Sequence, residues 1–130
     1  LNFFFQNYDD TVRRRRCIAS LYNENLEDLD CVILPPSPAS NGDHFDIYQN
    51  YEIEAEKRDE LKLYLSSKGV GTLIQWGGKA VHEFRDLGFN QSLPFTEQVM
   101  KKSLMLPLNM TVTDEEVEYI CSCIRNFYSG

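Results

Sequence analysis

The residue types best suited to chemistry lie between positions 76 and 82: Trp76, Gly77, Gly78, Lys79 and His82. The glycine pair lets the backbone take positive φ and approach a ligand closely. A glycine turn followed by polar side chains is a common way for a scaffold to present chemistry. The alternative is a tight connection between two core elements. Composition alone favours that alternative, because glycines are common in loops.

The elements on either side must position this turn. A helical pattern over Lys57 to Lys68 is followed by Gly69, at the position where a helix commonly ends. A short strand over Thr72 to Trp76 is predicted next, and a helical turn beyond the glycines carries His82. A further short helix opens at Pro94, because proline suits the first turn of a helix.

The rest of the chain alternates between helical and extended patterns, which predicts an α+β fold. The expected architecture is a small, mostly antiparallel sheet of three or four strands with helices packed on one face. Thr113 and Glu116 form a capping box that opens the final helix. The other predicted elements are a helix over Tyr8 to Leu29 and strands over Cys31 to Leu34, Phe45 to Ala55 and Leu104 to Leu106.

Length and composition limit the class of protein. The 130 residues suit one globular domain, and the net charge of −7 argues against nucleic acid as the main partner. No apolar run approaches the roughly 20 residues of a membrane helix, so no membrane partner is expected. Residues 13–16 are four consecutive arginines. Consecutive residues point all around a helix, so ion pairs with Asp9, Asp10 and their neighbours are expected rather than one binding face.

The chain has four cysteines, at positions 17, 31, 121 and 123. Cys121 and Cys123 lie two apart on a predicted helix and therefore point in different directions. No CxxC motif is present, so a metal site is not expected. Free thiols in a reducing, cytoplasmic compartment are the expectation.

Several segments, taken in order, resemble the DegT/DnrJ/StrS family of pyridoxal-phosphate-dependent aminotransferases. Residues 59–72 resemble the family's "RDEL…L…KGIGT" segment, and residues 84–89 resemble "AYRDLGY". Residues 14–22 resemble its linker helix, and residues 45–53 its "HxYxxYxI" strand. Residues 104–108 and 113–117 resemble its "LSLPLHP.LTDEEV" close. Each motif alone is weak, but the five occur in the family's order over nearly the whole chain.

The resemblance implies the C-terminal small domain of an enzyme acting on nucleotide-linked keto-sugars, with glutamate as amino donor. Residues 1–7 would end a preceding segment, and residues 8–130 would form the small domain, with residues 8–29 as a linker helix. The large domain that carries pyridoxal phosphate and its Schiff-base lysine would be absent from this chain. The implied partners are a nucleotide-diphosphate keto-sugar, the chain's own N-terminal domain and a second subunit in a homodimer.

After "GIGT", family members typically read "IHYPxPLH", a segment that reaches towards the sugar-nucleotide site. Here Trp76 stands where the family has tyrosine, and His82 stands where it has its second histidine. The resemblance therefore assigns Trp76 to packing against the sugar and His82 to a hydroxyl or phosphate. Gly77 and Gly78 replace the prolines, and Lys79 could meet a diphosphate. The alternatives are that Trp76 anchors a domain interface and that His82 is structural.

A second function from another class stays open. The chain could be a non-catalytic, stand-alone binding or assembly module that retains the small-domain fold. Phe3, Phe4 and Phe5 form an aromatic run that is expected to pack on something outside this chain. This aromatic run is consistent both with a domain of a larger enzyme and with a stand-alone module.

Overall fold

The computed structural model describes residues 7–39 and 45–130. The expectations for Phe3 to Phe5 and for His44, predicted to lie at the surface, fall outside the described residues. Within these ranges, four α-helices and three strands occur in the order α1 (Tyr8–Leu26), β1 (Val32–Ile33), β2 (Tyr51–Ala55), α2 (Arg58–Ser67), α3 (Pro94–Lys102), β3 (Ser103–Leu106) and α4 (Asp114–Ser129). The predicted α+β class is confirmed.

The strands form one antiparallel sheet in the order β1-β2-β3. Tyr51 pairs with Leu106 and Ile53 pairs with Leu104, and all four side chains are buried. Glu52 and Glu54 alternate with them and are only partly buried. This alternation is what a sheet with one covered face requires.

Three helices cover the buried face of the sheet. α1 and α4 pack along each other, and α2 contributes Leu61 and Leu65 to the same core. The cluster includes Ile18, Ala19, Tyr22, Leu26, Val117, Ile120, Cys121 and Ile124. In α4, Val117, Ile120, Cys121 and Ile124 recur at i, i+3, i+4 and i+7 and are all buried, as expected for an amphipathic helix.

The arginine run fixes α1 to its surroundings in several directions, as expected for consecutive helical residues. Arg13 pairs with Asp10, whereas Arg14 pairs with Asp114 at 2.6 Å and donates to the Val112 carbonyl at 2.6 Å. Arg16 donates to the carbonyls of Pro38 and Asp46. Arg13, Arg14 and Arg16 therefore make contacts within the domain.

Two strand predictions were too long. The strand predicted from Phe45 begins only at Tyr51, because Tyr48 takes a left-handed conformation (φ 48°) and its amide donates to the Asp46 side chain. The alternation of apolar and polar residues over this stretch would place Tyr48 on the face of Glu52 and Glu54 and Phe45 on the buried face. In the structure Tyr48 is buried and Phe45 is 70% exposed. β1 likewise contains only Val32 and Ile33 of the predicted four residues.

The predicted helices are close to their observed bounds. α1 ends at Leu26 rather than Leu29, and Gly69 ends α2 with φ +79°. The capping box is present, since Glu116 donates its amide to the Thr113 hydroxyl and its carboxylate accepts the Thr113 amide. These features depend on neighbours within a few residues, which explains why the sequence predicts them.

Candidate functional site

The segment after α2 is irregular where a strand was predicted. Only Leu73 pairs with the sheet, through two hydrogen bonds with Met105 of 3.1 and 2.8 Å. Residues 75–78 form a short 3₁₀ turn instead of extending the strand. The prediction of a strand over Thr72 to Trp76 was therefore wrong beyond a single bridge. The helical turn predicted to carry His82 is present as a second 3₁₀ turn, Val81–Glu83.

Three consecutive residues reverse the chain with positive φ: Trp76 (51°), Gly77 (65°) and Gly78 (74°). Glycine adopts such values at little cost, whereas for a bulky residue such as tryptophan they are strained. The indole of Trp76 nevertheless stays 79% exposed. Within this chain Trp76 is therefore not a core anchor. A strained and exposed aromatic residue is a reason to look for a ligand.

A groove of about 540 Å³ lies between this turn and α3. Trp76, Lys79 and His82 line it, so three of the five predicted site residues share one cavity. Gly77 and Gly78 shape the turn but do not line the groove. The remaining lining is mostly apolar: Ala80, Val81, Phe89, Gln91, Leu93, Thr96 and Met100.

His82 forms a pair with Glu97 of α3. Its Nε2 atom lies 3.1 Å from Glu97 Oε1, which also accepts the Leu93 amide at 3.1 Å. The hydrogen bonds from His82 and from the Leu93 amide lower the pKa of Glu97. His82 is nearly buried, and its pair connects the 3₁₀ turn to the first turn of α3. The geometry is that of the structural histidine considered from the sequence, with only Nδ1 left for another partner.

Sequence reasoning missed two residues that build this site. Glu97 lies fifteen positions from His82, and Arg58 lies twenty positions before Gly78. Neither spacing belongs to a local motif. Arg58 precedes Asp59 at the start of α2, and Glu97 lies in the first turn of α3, and neither position by itself indicates a binding residue.

The groove does not by itself fit pyridoxal phosphate. Of the six lysines in the chain, only Lys79 lines the groove, and it is exposed. A Schiff-base lysine works in a site that orients and partly desolvates it. Glu97, which could pair with a pyridine nitrogen, is already bonded to His82 and the Leu93 amide. These residues therefore do not form a pyridoxal-phosphate site on their own.

Neither a metal site nor a membrane span is found in the described parts of the chain. Over residues 7–39 and 45–130, no cluster of histidine, cysteine, aspartate and glutamate could hold a metal ion. No helix in those ranges is long and apolar enough to cross a membrane. All four cysteines are free thiols.

Comparison with known proteins identifies the class. The sequence profile of the DegT/DnrJ/EryC1/StrS aminotransferase family matches residues 4–125. The chain therefore belongs to the DegT/DnrJ/EryC1/StrS aminotransferase family.

Particular relatives refine this placement. The chain is 29% identical to a pleiotropic regulatory protein of Geobacillus stearothermophilus, a match that covers 98% of this chain and 35% of the relative. It is 30% identical to the GDP-perosamine synthase of Escherichia coli O157:H7, in a match that covers 93% of this chain and 32% of that protein. The crystal structure of the aminotransferase TlmJ from Streptoalloteichus hindustanus superposes with a TM-score of 0.86 at 28% identity. The match covers 98% of this chain and 34% of TlmJ. The chain thus spans about a third of the length of these proteins.

Proposed function

We propose that this chain forms the C-terminal small domain of a pyridoxal-phosphate-dependent aminotransferase that acts on a nucleotide-linked keto-sugar. Glutamate would donate the amino group, giving 2-oxoglutarate and an amino-sugar nucleotide. The cofactor would be held by an N-terminal domain outside this chain, and the complete enzyme would be a cytoplasmic homodimer. Family membership and the sugar-nucleotide relative support the proposal.

The observation that carries the role of this chain is the exposed, left-handed Trp76 at the edge of the groove. Its indole face would pack against the sugar, since aromatic rings bind apolar faces and orient them. Lys79 would meet the diphosphate from the same turn, and it forms no ion pair with a described residue. The Nδ1 atom of His82 is available to a sugar hydroxyl.

Two alanine variants, each made in the full-length gene product, test this role. Trp76 and Phe95 are equally exposed, at 79%, but only Trp76 lines the groove. Trp76→Ala should raise the KM for a keto-sugar, chosen from a panel of GDP- and dTDP-linked substrates, by about tenfold. The KM for glutamate should not change, and Phe95→Ala should leave both values near those of the wild type.

The outcomes separate the possibilities. Equal KM increases in Trp76→Ala and Phe95→Ala would mean that exposed aromatic surface in general matters, not the groove. Unchanged kinetics in Trp76→Ala would reject its role in sugar recognition. Absence of 2-oxoglutarate formation with every keto-sugar tested would reject the aminotransferase proposal itself.

The alternative of a stand-alone binding or assembly module rests on a different feature. Beyond the glycine pair, the apolar residues Val81, Leu87 and Phe95 are each more than two-thirds exposed. Such a surface suits docking against another domain, a second subunit or a separate partner. If the gene encodes no further domain and the purified protein holds no pyridoxal phosphate, the module is the better explanation.

A further inference from the structure

Arg58, the first residue of α2, joins three segments of the chain. Its Nη1 atom donates to the Met100 carbonyl at 3.0 Å and the Ser103 carbonyl at 3.3 Å, where α3 passes into β3. Its Nε atom donates to the Asp59 carboxylate at 2.8 Å. The side chain is only 11% exposed. A guanidinium this buried must be hydrogen-bonded, and these three acceptors meet that need.

The guanidinium also lies against the glycine turn. A Cβ atom on Gly78 would lie 3.3 Å from Arg58 Nη1, 3.4 Å from Arg58 Nη2 and 3.4 Å from Ile74 Cγ2. A Cβ atom on Gly77 would meet nothing within 4 Å, although the two glycines have similar positive φ. Alanine at either position would strain the backbone, and at Gly78 it would also press on the guanidinium of Arg58.

The two segments next to Arg58 both contribute residues to the groove. Gly78 lies between the lining residues Trp76 and Lys79, and Met100 is a lining residue near the end of α3. We infer that Arg58 is a positioning residue: its guanidinium holds the turn of Trp76 at a fixed distance from the end of α3 and thereby sets the affinity for the sugar nucleotide. This inference rests on the proposed function. Lysine is a poor replacement, because an ammonium lacks the planar guanidinium whose Nε and Nη1 atoms bond three acceptors while Nη1 and Nη2 lie against Gly78.

The first test compares Arg58→Lys with Arg13→Lys, both made in the full-length gene product. Arg13 is an exposed arginine of α1 paired with Asp10, and it does not line the groove. Arg58→Lys should raise the KM for the keto-sugar on the order of tenfold, since displacement of contacts by about 1 Å can cost up to a hundredfold. The KM for glutamate should not change. If instead both KM values and the urea midpoint change together, the role of Arg58 is merely structural and the inference fails.

A second test uses the glycine pair. Gly77→Ala and Gly78→Ala carry similar backbone strain, but only Gly78→Ala crowds Arg58. Gly78→Ala should therefore raise the KM for the keto-sugar more than Gly77→Ala does. That excess should shrink when both alanine variants are made in the Arg58→Lys background. Equal effects of the two alanine variants would overturn the inference.

Hydrogen exchange separates the inference from the proposed function. In Arg58→Lys, amides of residues 75–79 and 100–103 should exchange faster than in the wild type, and in Arg13→Lys they should not. If the wild-type protein binds no keto-sugar nucleotide, the proposed function fails. Unchanged exchange in Arg58→Lys would reject the positioning role whether or not a nucleotide sugar binds.

Discussion

The hydroxyl of Tyr51 donates to the Oδ1 atom of Asn23 at 2.9 Å, and both side chains are buried. The amide nitrogen of Asn23 donates in turn to the Pro35 carbonyl at 3.3 Å. Tyr51 also stacks on Tyr22, with ring centroids 4.7 Å apart, and Tyr22 donates to the Pro107 carbonyl at 2.8 Å. This network fixes α1 against β2 and against the prolines that follow β1 and β3. Burial raises the pKa of Tyr51 and of Tyr22 well above the ordinary value, so both stay protonated donors.

Tyr51→Phe should destabilise the fold by about 1–3 kcal/mol, because it leaves Asn23 Oδ1 buried without its donor. Urea unfolding followed by circular dichroism measures this loss. Tyr119→Phe is the matched control: its hydroxyl donates to the Lys68 carbonyl at 3.1 Å, but the side chain is half exposed. A loss for Tyr119→Phe as large as that for Tyr51→Phe would contradict the importance of burial.

Thr113→Ala should destabilise the protein by about 1 kcal/mol, because it removes the acceptor for the Glu116 amide at the start of α4. Ser122→Ala provides the comparison, since Ser122 lies inside the same helix, is exposed and donates its hydroxyl to the Glu118 carbonyl. That change should be nearly neutral or slightly stabilising, because alanine is the better helix former. Equal losses in the two variants would show that the cap is not the stabilising element.

The pair of His82 and Glu97 predicts a change in stability at acid pH. Hydrogen bonds from His82 and the Leu93 amide lower the pKa of Glu97 below its ordinary value of 4.5. The ionised form is thus favoured in the folded state, so its stabilising contribution is present above pH 4.5. It is lost as the pH falls from 4.5 through the lower folded pKa.

Glu97→Gln tests this directly. The difference in unfolding free energy between wild type and Glu97→Gln should be constant above about pH 5 and should shrink below pH 4.5. Glu118→Gln is the control, since Glu118 is exposed on α4 and forms no ion pair within the described ranges. A pH-independent difference for Glu97→Gln would rule out the ionic contribution of the pair.

The cysteines should differ in reactivity. Burial raises the pKa of Cys121 to about 12, so its thiol stays protonated at neutral pH and is shielded from reagents. Cys17 is exposed. Brief treatment of the native protein with iodoacetamide should therefore modify Cys17 before Cys121 and Cys123, as read by peptide mass spectrometry. All four thiols should react in denaturant, and early labelling of Cys121 would contradict the buried core.

The sequence alone determined the features that depend on close neighbours in the chain. α4 begins with a capping box because Thr113 and Glu116 are three residues apart. α2 ends just before Gly69, because glycine takes the positive φ that follows the helix. The apolar stripe of α4 likewise follows from helical periodicity. Family resemblance added the aminotransferase class, which the sequence comparison confirms.

Only the tertiary structure decided what the candidate site consists of. Alternation predicted a strand from Phe45, but the left-handed Tyr48 turns the chain and buries a side chain that the pattern placed outside. The contacts of His82 with Glu97 and of Gly78 with Arg58 join residues fifteen and twenty positions apart. Periodicity records which face of a single element is apolar, whereas such contacts depend on how separate elements pack. The groove between Trp76 and α3 is therefore a product of packing.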